Sequence, residues 1–135
     1  MQTLIMISNA DISLRDLMQR ISEYYPTKRL EDSGFTIERP RANRTTAYVR
    51  LWKLSSPDAQ YEEGDILPFP IGPQTRGFLI EFNDLRLLRE AVPFLCNRDD
   101  VAVDDDHGMI ASGKEFVTKL QNSEALTWLA PDYET

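Results

Sequence analysis

Apolar positions along the chain recur at two different spacings, and the switches between them mark out the elements. Residues 3–8 form a short apolar run of strand type. Ser13 then stands as an N-cap before Leu14–Tyr25, where Leu14, Leu17, Met18, Ile21 and Tyr25 fall at helical spacing and Pro26 ends the pattern. Asp16, at the third helical position, completes a variant of the capping box, and Ile12 and Leu17 are placed for a hydrophobic staple across it. Residues 26–44 are polar and turn-rich, broken by a brief strand candidate, Gly34-Phe35-Thr36-Ile37. Thr45–Leu54 alternates strictly and holds β-branched and aromatic residues, as a strand should. Ala47, Val49 and Leu51 share one of its faces, the expected core side, and Tyr48, Arg50 and Trp52 share the other.

Four prolines (Pro57, Pro68, Pro70, Pro73) and an acidic cluster make residues 55–75 a long connection. Arg76–Phe82 alternates again, with Phe78, Ile80 and Phe82 on one face. Asn83 is placed to cap a helix beginning at Asp84, with Phe82 and Leu87 as a second staple, and Pro93 should kink or end that helix before Phe94-Leu95-Cys96. Val101–Asp104 and Met109–Ala111 read as a hairpin around Asp105-Asp106-His107-Gly108. Ser112 and Glu115 form a capping box for a third helix, and residues 122–135 suggest a docked tail around Leu126, Trp128 and Leu129. The predicted order is β-α-β-β-β-α-β-β-α. It implies one α+β domain over residues 1–135, a mostly antiparallel sheet with about three helices packed on one face. The other face should be partly wet and available to a partner.

Composition is that of a globular domain, 41% apolar and 27% charged over 135 residues. Charge changes the picture more. Residues 1–56 carry nine Lys/Arg against six Asp/Glu, whereas residues 57–135 carry six against sixteen, for an overall charge of −7. Such an acidic half disfavours nucleic acid and anionic membranes and favours a basic protein partner. The opening residues have neither the basic region nor the apolar core of a secretion signal, no apolar run reaches the ~20 residues of a bilayer span, and one cysteine makes no internal disulfide, so the expected location is the cytoplasm.

With one histidine and one cysteine, eleven residues apart, catalytic and metal chemistry find little to work with. Cys96, in an apolar stretch without a nearby base, reads as a buried small hydrophobe. The run Asp104-Asp105-Asp106-His107-Gly108 partly resembles a calcium loop, with Glu115 at the twelfth position, but Met109 stands where the loop needs glycine. A zinc site wants three or four ligands. The six glycines are scattered, so no phosphate loop is present. We therefore expect no enzyme activity, no metal and no cofactor. The one basic stretch with aromatic neighbours runs from Arg39-Pro40-Arg41-Ala42-Asn43-Arg44 to Tyr48, Arg50 and Trp52. It supports an alternative as a nucleic-acid-associated accessory protein, although Arg50 and Trp52 are equally suited to anchor a protein interface.

The stretch from Val101 to Val117, a strand, an acidic turn ending in glycine, a second strand and the helix start Gly113-Lys114-Glu115-Phe116, resembles small bacterial immunity proteins of toxin–immunity systems. The resemblance implies a small, acidic, cytoplasmic protein without catalysis that neutralises a toxin by occupying its active site or a nearby surface. Partner-binding residues are then expected among Glu62, Glu63, Asp65, Asp104, Asp105, Asp106 and His107, with Arg50 and Trp52 as anchors.

Overall fold

In the computed structural model the described residues are 2–9, 11–31, 33–43, 45–54, 75–104 and 110–122. The elements are β1 (Gln2–Ser8), α1 (Leu14–Ser22), β2 (Thr27–Leu30), β3 (Gly34–Pro40), β4 (Thr46–Leu54), β5 (Arg76–Phe82), α2 (Leu85–Ala91), α3 (Pro93–Cys96), β6 (Val101–Asp104), β7 (Ile110–Ser112) and α4 (Gly113–Asn122). The strands form one sheet in the order β2-β3-β4-β5-β1-β6-β7, and every described pairing is antiparallel. The fold is α+β, as the residue pattern implies.

β1 sits inside the sheet, between β5 and β6, with Leu4 opposite Ile80 and Met6 opposite both Phe78 and Val103. A strand flanked on both sides should be apolar along its length, and Leu4, Met6 and Ile7 are all fully buried. Strand β2 is an addition to the sequence reading, which placed residues 26–33 in turns. Its pattern is hidden because it is an edge strand: Lys28 and Arg29 are exposed, charges that discourage further pairing at the open edge.

One face of the sheet carries Phe35, Ile37, Ala47, Val49, Leu51, Phe78, Ile80, Phe82, Leu4, Met6 and Val103. These form a single cluster with Leu17 and Ile21 of α1, Leu87 and Leu88 of α2, Leu95 and Cys96 of α3, and Phe116 and Leu120 of α4. All four described helices therefore lie on one side. Ala47, Val49 and Leu51 are the core side of β4, as their alternation predicts.

Local signals decide the helix starts. The Ser13 hydroxyl accepts from the Asp16 amide and the Asp16 carboxylate accepts from the Ser13 amide, each at 3.1 Å, completing the capping box. Hydrogen bonding to the carboxylate from the Ser13 amide, and next from the Ser13 hydroxyl, holds the Asp16 carboxyl below its ordinary pKa range. The helix itself ends at Ser22 rather than Tyr25: the Tyr24 amide bonds the Ile21 carbonyl three residues back, a tighter turn than the α-helical four, and Pro26 follows with no amide hydrogen to continue the pattern.

The second helix is capped by Asp84, not Asn83. The Asp84 carboxylate accepts from the Leu87 amide at 2.8 Å. Asn83 instead prolongs the sheet, its side chain accepting from the Tyr48 amide at 2.8 Å and donating to the Thr46 carbonyl at 2.9 Å. Pro93 opens α3 at a position where a missing amide hydrogen costs nothing, so the predicted break separates α2 from a short helical turn. At α4 the Ser112 hydroxyl accepts from the Glu115 amide at 3.2 Å, while the Glu115 carboxylate pairs with Lys119 at 3.4 Å. The expected tail at 122–135 lies, apart from Asn122 at the end of α4, outside the described residues.

Candidate functional site

The sheet face turned away from the helices collects the residues that the strand alternation points outward. Along β4 these are Tyr48, Arg50 and Trp52. In the antiparallel register Arg50 lies opposite Glu81 on one side and Thr36 on the other, and Trp52 lies opposite Leu79 and Gly34. The Trp52 indole N–H donates to the Glu81 carboxylate. Room for the indole comes from Gly34, where an added Cβ would lie 2.6 Å from Trp52 Cε3. The Arg50 guanidinium stacks over the Tyr48 ring, 3.9 Å from its centre, a cation–π contact that fixes both groups. Arg50 Nε is buried and has no hydrogen-bond partner among the described residues.

The row through Trp52 continues across the sheet to Leu79 on β5, Ile5 on β1 and Asp104 on β6. Asp104 is thus on the same face, three strand spacings or about 14 Å from Trp52. Tyr48, Arg50, Trp52, Leu79, Glu81 and Asp104 are all half-buried. Of the residues nominated from the sequence, Arg50, Trp52 and Asp104 therefore share one surface. Glu62, Glu63, Asp65, Asp105, Asp106 and His107 lie outside the described residues.

The Arg39–Trp52 stretch does not form a single basic patch. Arg39 pairs with Glu90 of α2 at 2.5 Å, a bond that lowers the Glu90 carboxyl pKa and raises that of the guanidinium. Arg41 pairs with Asp84 at 3.1 Å and donates to the Asn83 carbonyl at 2.7 Å. Arg39 thus ties β3 to the last turn of α2 and Arg41 ties the turn after β3 to its N-cap, both on the helix side, whereas Arg50 and Trp52 face the other way.

Cys96 is fully buried, its thiol is pushed up to about 12 by desolvation alone, and its Sγ lies 3.3 Å from Met6 Sδ. Such a thiol is a poor nucleophile. It should resist a thiol reagent in the native protein and react about a hundredfold faster or more once urea unfolds the domain. Equal labelling rates in the two states would contradict its burial. Among the described residues no group of three or more His, Cys, Asp or Glu is placed to hold a metal ion, and no helix is long and apolar enough to cross a membrane.

A second feature was not legible in the sequence. On the helix side, a cleft of about 620 Å³ opens between α1 and the ends of β2, β4 and β5, and Arg15, Arg29, Lys53 and Arg76 line it. These cations come from four separate elements, so no local motif announces them. No protein-family model, curated protein or solved structure matches the chain.

Proposed function

We propose that this protein is a non-catalytic binding module, an immunity protein that neutralises a cognate basic toxin by covering its active site or a nearby surface. The observation that carries the reading is the shared face: Tyr48, Arg50 and Trp52 stand together with Asp104 on the side of the sheet that none of the described helices covers. Trp, Tyr and Arg are the residues that dominate interface hot spots. Here they are already ordered by stacking and by the Trp52–Glu81 bond, which lowers the entropy lost on docking. The acidic second half of the sequence supplies the long-range attraction to a basic partner, speeding association more than strengthening it.

The test is co-expression with the product of the adjacent gene. The unmutated protein should restore growth, with an association rate that falls as ionic strength rises. Trp52→Ala and Arg50→Glu should each weaken binding about 30-fold or more with the domain still folded at the assay temperature, and R29E/K53E, on the helix side, should bind normally. Absence of both growth rescue and binding would overturn the reading, as would a W52A variant that binds as tightly as the parent.

A further inference from the structure

The helix-side cleft is distinct from the surface just described. Arg29 and Lys53 belong to the rows that contain Phe35 and Phe78, on the core face of the sheet, so the two sites lie on opposite sides of one layer. Its walls carry four cationic side chains against one carboxylate, Asp11, which pairs with Arg76 at 2.8 Å. Arg15, Arg29 and Lys53 are exposed, and among the described residues none of the three has an ion-pair partner. The floor is apolar, with Leu14 and Met18 of α1 and Phe78 of β5 among its lining residues.

We propose that this cleft binds a small amphipathic anion, a phosphate or carboxylate head on an apolar body the size of one or two rings. Three independent features select that class. The volume falls within the ~300–1,000 Å³ of small-molecule sites. Unpaired cations at the rim beside an apolar floor suit a ligand with a charged end and a greasy end. The chain as a whole carries −7, which repels a polyanion such as nucleic acid, whereas a small ligand responds to charges within about 8 Å at physiological salt. Surface solubility alone gives no reason for an acidic protein to converge cations from four elements on one concavity.

The experiment titrates the full chain with 1-naphthyl phosphate, 1-naphthol and inorganic phosphate, following backbone amide resonances. Naphthyl phosphate should shift the signals of Ser13, Ser22 and Gly34 saturably, while naphthol and inorganic phosphate each bind about tenfold more weakly or less. The R29E/K53E double variant should lose about tenfold in affinity for naphthyl phosphate, and R15E should lose affinity in the same direction. A charge-matched control, K28E/K114E, changes two exposed lysines outside the cleft and should bind as the parent does. All substituted side chains are exposed, so an unchanged amide dispersion is expected throughout. Absence of saturable shifts would overturn the proposal, as would equal affinity for naphthol and naphthyl phosphate, or equal losses in R29E/K53E and the control. Neither R29E/K53E nor K28E/K114E touches Arg50 or Trp52, so failure here leaves the proposed partner surface standing, and the reverse also holds.

Discussion

Replacing Gly113 by alanine should destabilise the domain by about 3 kcal/mol or more and lower its melting temperature by about 10 °C or more. Two effects of opposite sign compete at this position. Gly113 is the first residue of α4, and helix propensity alone favours alanine over glycine by up to about 1 kcal/mol. Packing opposes it. A Cβ at Gly113 would lie 1.9 Å from the Cys96 carbonyl oxygen and 2.7 Å from that of Arg98. Both obstacles are backbone in the tight turn after α3, where the Arg98 amide already donates to the Cys96 carbonyl at 2.7 Å. Neither can rotate aside, so α4 must lift from α3, and Phe116 and Leu120 leave their places in the core with it. The measurement is a thermal melt of G113A beside K114A, an exposed neighbour expected to lie within about 0.5 kcal/mol of the parent. A G113A protein as stable as its parent would mean that the α3–α4 contact is looser than described.

Ile80→Ala should cost about 3–4 kcal/mol, and Leu79→Ala, one residue away, about 1 kcal/mol. β5 is the central strand of the seven, and successive residues point to opposite faces. Ile80 is fully buried between the sheet and the helices, with Leu4 and Leu51 beside it in register, so its removal leaves a cavity that a packed layer cannot close. Leu79 lies on the other face beside Trp52 and Ile5, half-buried, and loses less surface on truncation. Urea titration of both variants, compared at unchanged denaturant slope, reads the difference directly. Equal losses would show the second face to be packed as tightly as the first, which would also weaken the case for it as a partner surface.

The elements that were readable in advance are those whose signal is local. Ser13 and Asp16 carry both halves of a capping box within four residues, and the alternation of Ala47, Val49 and Leu51 against Tyr48, Arg50 and Trp52 needs only a period of two. The same signals misplace a boundary when a residue has a distant competitor. Asn83 is a good N-cap type, but the strand beside it offers the Tyr48 amide and the Thr46 carbonyl, and the side chain takes those instead. β2 was missed because a charged edge strand resembles a turn when its partner strand is not in view.

By itself, the sequence determined the α+β class, the capped start of α1, the core face of β4 and the burial of Cys96, because each depends on residues close in the chain or on burial common to its type. Tertiary structure alone decided that β1 lies between β5 and β6, that Gly113 must be glycine, that Arg50, Trp52 and Asp104 share a surface, and that Arg15, Arg29, Lys53 and Arg76 meet around one cleft. Each of these is a proximity between distant segments. Strand register and helix docking set such distances cooperatively, through packing that no window of neighbouring residues contains.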